Sequence, residues 1–473
     1  MNRSGRFAAA CLLTLAAVGG VARAADRVKP ELLPVPRKMT ADEKSETARL
    51  RGEAERIRGF KLDYDPPWCK RTRPEIYRHF TRRMEAAGVK RELRLATALY
   101  AAFGFWKPDF DLAGVRLRAQ SGAVGAFYAP EERRFTLVPS AKRASSSQVR
   151  IDKEAQTVHE YVHAIQDQHL GLTRIGMFSG NDRASAARAL VEGDAVLAMS
   201  IYAVGRRYGR AKEGRLRLVT GETAHRRSRM RAMLKLPAFR KIPRVISVKM
   251  VFPYTGGSLF VERAFKRHGW AGVNRIYRCP PVSTEQIIHP EKYFTPRGRP
   301  IEDPVKIVLP PPERTGIAGL KRVAEDSLGE LDILLLLSSY VGNARARLAA
   351  AGWGGDRYVA YERTGGARAG ELVICWLSVW DREQDAREFF NAYAKTLDGK
   401  TGVKRKVLDE DGRLLDWRGA GAKSSARLER WGGAVLSVEG EDAGGSSRLA
   451  DLMWTARRLK PPPRFRVGEG RDE

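Results

Sequence analysis

Residues 152–171 read DKEAQTVHEYVHAIQDQHLG. Ala155, Val158, Val162 and Ile165 recur at helical spacing, so the stretch predicts a helix with one apolar side, ended by Gly171. Positions four apart stack on one face of a helix, which aims His159 and His163 at a common point. Glu160 follows His159, about 100° around the axis. Two imidazoles able to share a zinc ion, next to a carboxylate able to take a proton from water, form the H-E-x-x-H spacing of metal-assisted hydrolysis. The chain has only seven histidines, and two of them fall at this spacing inside a strong helical pattern.

A hydrolytic zinc needs a third protein ligand and keeps its fourth position for water. His169 lies ten residues beyond His159 on the same helix. Position 166, where a glycine would permit the sharp turn needed to bring it back, is Gln. Glu192 is the better candidate. It sits in residues 189–195, ALVEGDA, in the middle of the next expected helix. An acidic group in so apolar a setting requires a partner, which a metal supplies; a salt-bridged structural glutamate is the other reading. Asp194 is placed to hydrogen-bond a ligand imidazole or a neighbouring helix.

Outward from this core the chain reads as α+β. Residues 122–128 (GAVGAFY) and 135–138 (FTLV) have strand character and flank PEER at 130–133, a hairpin connection. Helices are expected near 43–58, 73–87 and 91–104, the last from the spacing of Leu93, Ala96, Leu99 and Ala102. Another should run from Asp182 to Tyr208, capped by Asp182 or Ser185. Residues 206–248 are strongly basic and helix-compatible, without a recognisable chemical motif. Residues 253–257, PYTGG, read as a glycine-containing loop leading into an amphipathic helix that ends near His268, and Ser283 with Gln286 matches a capping box.

Pro-rich material at 295–313 marks a boundary. Beyond it, helical runs near 316–349, 381–397 and 444–459 alternate with strands near 357–362, 371–380 and 432–438, the order of an α+β domain. The expected division is a leader at 1–24, an extended lead-in at 25–70, a metal-bearing domain at 71–300, a C-terminal α+β domain at 314–460 and a loose tail at 461–473.

The first 24 residues have the layout of a secretory leader. Arg3 and Arg6 precede an apolar stretch from Phe7 to Val21, and Ala22-Arg23-Ala24 places small residues at both recognition positions, so cleavage is expected after Ala24. The apolar run is short and is broken by Gly19 and Gly20, which argues against an uncleaved anchor. No later segment offers about 20 uninterrupted apolar residues, so no membrane span is expected after leader removal, and the protein should be periplasmic or secreted. Removal of the leader takes Cys11 and leaves Cys69, Cys279 and Cys375, too few for a disulfide scaffold and none near another at metal-ligand spacing.

The formal charge is +30, from 85 Lys+Arg against 55 Asp+Glu. Such a surface attracts polyanions, acidic envelope polymers among them. The basic residues are spread along the chain without a zinc-finger or RNA-binding signature, and with export this excludes a specific nucleic-acid partner. The simplest reading is an Arg-rich solvated surface.

HEYVH followed by a glutamate on the next helix resembles the thermolysin-like gluzincin zinc metallopeptidases. That resemblance covers about residues 120–200. The stretches AFYAP (126–130), ALVEGDA (189–195) and STEQIIHPEKY (283–293) also resemble a poorly characterised group of exported bacterial proteins, over most of the mature chain. The resemblance implies a gluzincin-like core with a small sheet and an active-site helix. In it His159, His163 and Glu192 are zinc ligands, Glu160 is the catalytic base, and the strand at 122–128 pairs with an extended peptide. The chain departs from the pattern at Val191, where the family often has Asn, and at Ala195 and Val196, where it often has Ser-Asp.

The expected chemistry is hydrolysis of a peptide or protein substrate by water activated between zinc and Glu160, which passes the proton to the leaving amine. The oxyanion needs a further donor. The candidates are Tyr254, and His289 and Tyr293, which lie four apart with Pro290 between them. The alternative is a catalytically inactive, zinc-containing binding or assembly protein of the cell envelope.

Overall fold

The computed structural model describes residues 39–465, except 124, 131, 139–145, 173–174, 177–180, 241, 312–313, 315–316 and 419–423. The leader at 1–24, the first part of the lead-in and residues 466–473 of the tail lie outside the described residues. The architecture is mixed α+β, in two compact units. One comprises the described residues up to Arg94 together with Asp111–Pro281; the other comprises Leu95–Phe110 and Val282–Arg464.

The first unit begins with α1 (Ala41–Arg58), β1 (Trp68–Lys70), α2 (Arg73–Glu85) and the first part of α3 (Ala87–Phe103). α1 and α2 each open on a capping box, Thr40 with Glu43 and Thr72 with Glu75, in which the threonine hydroxyl accepts from the third helical N–H and the glutamate reaches back. Then come α4 (Leu112–Ala123), β2 (Ala126–Ala129), β3 (Arg134–Leu137) and α5 (Ser147–Ile165). Gly122 and Ala123, expected in a strand, close α4 instead. α5 starts earlier than its apolar pattern suggests, because Ser146 accepts from Val149 N and caps it. Its C-terminal end passes into a π-helical turn, Gln166–Leu170, which Gly171 terminates at φ 70°.

The unit continues with α6 (Asp182–Tyr208), α7 (Leu216–Met233), α8 (Pro237–Arg240) and α9 (Arg244–Arg278). Asn181, rather than Asp182 or Ser185, caps α6 by accepting from Ala184 N. α6 is buried along nearly all its length, between α5, α9, α7 and α1, which explains its alanine content: a helix covered on every side needs small, apolar residues. The three strands run in the order β1-β3-β2, with β1 parallel and β2 antiparallel to β3. Trp68 stacks on Phe135 and Tyr161 meets both rings edge-on where this sheet meets α5, and Trp68 Nε1 donates to the Tyr161 hydroxyl at 2.9 Å.

PYTGG is not a loop. It lies inside α9, which runs through Pro253 and is interrupted only at His268 and Gly269. The glycines are there for contact between helices. A Cβ added to Gly257 would sit 1.9 Å from Ala189 O of α6, and one on Gly193 would sit 2.3 Å from Gly257 O, so the two backbones touch.

The second unit contains α10 (Thr284–Ile288), α11 (Pro290–Tyr293), β4 (Lys306–Val308), β5 (Leu320–Asp326), α12 (Gly329–Val341) and α13 (Asn343–Ala350). There follow β6 (Trp353–Arg363), β7 (Leu372–Trp380), α14 (Glu383–Thr401), β8 (Lys406–Val407), β9 (Leu414–Trp417), β10 (Ala426–Trp431), β11 (Ala434–Glu439), α15 (Ala443–Trp454) and β12 (Arg457–Leu459). Seven strands form an antiparallel sheet in the order β5-β6-β7-β11-β10-β9-β8. Its alternate side chains feed two cores. Tyr358, Ala360, Ile374 and Trp376 pack with Ile333, Phe389 and Tyr393 on one face, while Val359, Tyr361, Val373 and Cys375 pack with Leu449 and Met453 on the other. A strand buried on both faces reads as a continuous apolar run, as LVICWLSVW does in β7. β5 occupies the start of a run expected to be helical.

Among the described residues, no helix is long and apolar enough to cross a membrane. Cys69, Cys279 and Cys375 are all free thiols.

Candidate metal centre

α5 and α6 bring His159, His163 and Glu192 together. The His159 Nε2 lies 3.2 Å and the His163 Nε2 3.5 Å from Glu192 Oε2, and the two ring nitrogens are 3.0 Å apart. One ligand atom from each falls within 4.8 Å of the others, and all three side chains are buried. It is the one such His/Cys/Asp/Glu group among the described residues. Glu192 is delivered by the close α6–α9 crossing, since its neighbour Gly193 is one of the two glycines at the backbone contact.

The residues behind the cluster fix its orientation. Gln166 Nε2 donates to Val191 O and to Asp194 Oδ2, both at 3.0 Å, so its Oε1 must be the atom that accepts from His163 Nδ1, at 2.8 Å. With the hydrogen on Nδ1, the Nε2 lone pair of neutral His163 faces the cluster. Asp194 is anchored in turn. Arg58 Nε lies 2.9 Å from its Oδ1, the Tyr277 hydroxyl donates to Oδ2 at 2.8 Å, and the Arg58 guanidinium packs over the Trp270 ring. Asp194 therefore reaches a ligand imidazole through Gln166.

Glu160 is fully buried beside the cluster. One carboxylate oxygen accepts from the Tyr128 backbone N–H at 3.0 Å, and its Oε1 has no hydrogen-bond partner among the described residues. The Tyr128 side chain donates to Asp167 Oδ2 at 2.7 Å, tying β2 to the π turn. Tyr254 packs against His159, with ring centroids 6.3 Å apart.

Electrostatics gives an independent test of fit. Burial pushes the Glu160 carboxyl up to about 8, against the pull of His163 and of the Tyr128 N–H. Burial lowers His163, but the Glu192 carboxylate outweighs it and holds the imidazole at about 9. Burial raises Glu192, but His163 and His159 bring it down to about 2. His159 is lowered by burial, then by His163, with Arg226 acting in the same direction. Near neutral pH the metal-free site thus favours extra protons on Glu160 and His163, positive charge that a divalent cation would replace. The donor set and its charge fit such an ion.

A family profile described as "Domain of unknown function (DUF8575)" matches residues 315–450. That match lies within the second unit and does not reach the cluster. Neither curated proteins nor solved structures gave a match.

His289 and Tyr293 belong to the second unit, and they do not share one helix: His289 separates α10 from α11, at φ −114° and ψ 74°. His289 Nε2 pairs with Glu330 at 2.9 Å, and Tyr293 is buried against Phe294. His169 turns to Lys61 O, at 2.6 Å, and stacks on Phe60. Gln166 and Arg58 were not anticipated. Gln166 stands one turn beyond His163, a spacing at which a partner for Nδ1 can be sought; the part played by Arg58, 136 residues before Asp194, has no local signal.

Proposed function

We propose that the first unit is a zinc-dependent hydrolase, with His159, His163 and Glu192 as metal ligands, Glu160 as general base and peptide bonds as its target. One observation carries the reading. Three converging ligand atoms lie next to a buried carboxylate that no structural partner fully engages. A purely structural metal site has no use for that carboxylate.

Zinc held there would supply Lewis-acid activation of water and of the carbonyl. Glu160, aligned at one oxygen by Tyr128 N–H, takes the proton from water and delivers it to the leaving amine. Gln166, Asp194 and Arg58 keep His163 in the ligating tautomer. Tyr254 is our candidate for the oxyanion donor. Peptide is favoured by β2, an edge strand of the sheet. The Tyr128 N–H points away from β3 and donates to Glu160, so the backbone groups of Ala126 and the Tyr128 carbonyl are likewise turned away from β3, on the side where an extended chain would add. The leader-like layout of residues 1–24 supports an exported setting for this activity.

The test is metal analysis of the purified protein together with hydrolysis of a peptide library followed by mass spectrometry, for wild type and Glu160→Gln. Both should hold one zinc per chain, and only wild type should cleave. Wild type without stoichiometric zinc, or cleavage that survives Glu160→Gln, would refute the reading. Zinc in both proteins without cleavage in either would favour a binding or assembly role.

A further inference from the structure

The basic stretch between α6 and α9 has a structural focus. Residues 206–248 carry fourteen Arg and Lys against Glu213 and Glu222, a net +12 of the chain's +30. In the first unit a cavity of about 900 Å³ is lined by Gln148, Val149 and Asp152 of α5, by Arg207 and by much of α7. Its two acids are already neutralised. Asp152 pairs with Arg229 at 3.0 Å and Arg226 at 3.5 Å, and Glu222 pairs with Arg226 at 2.8 Å and with Arg207. Arg217, exposed, forms no ion pair among the described residues, so an entering ligand meets uncompensated positive charge there, with the exposed imidazole of His225 two turns further along α7 as a hydrogen-bonding group.

The lining is not only basic. Val149, Leu218, Met233 and Leu236 give it apolar walls, and Gly221 falls between Arg217 and His225 on one face of α7. A Cβ added to Gly221 would meet nothing within 4 Å, so the glycine opens space. α5 runs from the cavity wall to the metal cluster. Asp152 and His159 are seven residues apart on α5, two turns along nearly the same face, a separation of roughly 10 Å. An extended chain covers that distance in about three residues.

We infer that this cavity binds an acidic stretch of polypeptide, seating carboxylates on Arg217 and beside His225 and apolar side chains against the α5 and α7 walls. Mixed apolar and cationic lining favours a polypeptide over a sugar-phosphate or polyphosphate chain, which has no apolar side chains to seat. Taking that polypeptide as substrate rests on the hydrolase reading; the binding itself does not.

The experiment uses full-length Glu160→Gln protein and a fluorescein-labelled Glu-Leu-Glu-Glu-Leu-Glu peptide, followed by anisotropy at two salt concentrations. In this background, adding Arg217→Glu with His225→Glu should weaken binding at least about tenfold. Arg345→Glu with Arg347→Gln removes the same three charges from an exposed face of α13 and should leave binding within about twofold. Gly221→Tyr keeps the charge, has room at Cβ, and should also weaken binding about tenfold by filling the cavity. Equal loss in the α13 variant would overturn the inference in favour of general charge attraction. No measurable binding, or polyphosphate binding more tightly through the same two residues, would overturn it as well. Failure of the hydrolase reading shows separately: wild type would bind the peptide through Arg217 and His225 and leave it intact.

Discussion

Replacing Gly257 by alanine tests how Glu192 is placed. Gly→Ala inside a helix ordinarily stabilises a protein by about 1 kcal/mol, because alanine loses less backbone entropy on folding. At Gly257 the new Cβ would lie 1.9 Å from Ala189 O and 2.6 Å from its carbonyl carbon. Both are backbone atoms and no rotamer change relieves them. Restoring ordinary contact requires α6 and α9 to part by roughly 1–1.5 Å in an interior packed at crystal density. Overpacking of this kind costs about 1–3 kcal/mol or more, so the intrinsic gain is outweighed and a net loss of about 2 kcal/mol is expected. For a unit of this size that lowers the melting temperature by roughly 4–8 °C. Shifting α6 also displaces Glu192 relative to the two histidines of α5, and zinc affinity should fall with stability. Gly221→Ala is the internal control: the same change in α7, with nothing within 4 Å of the added carbon, should raise the melting temperature slightly. Calorimetry and zinc competition with a fluorescent chelator read both effects. A Gly257→Ala protein that melts no lower than Gly221→Ala and holds zinc as wild type does would refute the backbone contact and its role in placing the ligand.

Four further outcomes are expected. Gln166→Met keeps the side-chain length but removes the acceptor for His163 Nδ1–H, so zinc affinity should fall about 10–100-fold by chelator competition; unchanged affinity would mean that Gln166 does not orient the ring. Zinc loading near pH 7 should release about two protons, seen by calorimetry in buffers of different ionisation enthalpy, and release near zero would contradict the charge balance of the site. Both groups titrate above their ordinary values, so the stability they give the metal-free protein is complete below those values. It is lost as pH rises through about 8 for Glu160 and about 9 for His163, and the zinc-loaded protein should not show that alkaline loss. In the second unit, burial pushes the Asp356 carboxyl up to about 6 despite hydrogen bonds from Leu328 N, Gly329 N and Trp376 Nε1. Its contribution is present below about 4 and is lost as pH rises through 6, so Trp fluorescence should titrate near pH 6 in wild type and not in Asp356→Asn.

What the sequence made legible follows the reach of each signal. The HEYVH helix was readable because ligand spacing, apolar periodicity and a terminating glycine all lie within twenty residues. Glu192 was readable because a lone acid in an alanine-rich helix is conspicuous, and that helix proved to be the most enclosed in its unit. PYTGG misled because glycine and proline have the same local signature in a loop and in a helix that must pass close to another; only the partner backbone, some 65 residues away, separates the two cases. β9 and β10 were missed because charged residues interrupt them: in β10, Arg427, Glu429 and Arg430 stand beside Ala426 and Leu428. The Arg58–Asp194–Gln166 chain was out of reach for the same reason as the helix crossing, since each link joins segments far apart in sequence.

The same contrast changes the meaning of the charge. As a total, +30 suggests nothing more specific than a solvated basic surface. Set on the fold, 43 residues account for net +12 of it, and several of their arginines are spent on internal acids: Arg206 on Glu154, Arg207 and Arg226 on Glu222, Arg227 on Glu262. Those pairs are structural, and they leave Arg217 as the unpaired charge α7 presents to the cavity, with His225 beside it. α5 then links two tasks. Its N-terminal turns wall the cavity, and two turns further on it carries His159, with Glu160 beside it and His163 one turn later. If the cavity holds part of the substrate, a rigid helix fixes the distance between the group recognised and the bond attacked. Length of the acidic peptide should then matter as much as its charge. Chains too short to span roughly 10 Å would bind through α7 without reaching Glu160, and cleavage should rise abruptly once about three residues separate the carboxylates from the scissile bond. A cleavage rate that depends on net peptide charge alone, with no such threshold, would place the cavity outside the path of the substrate.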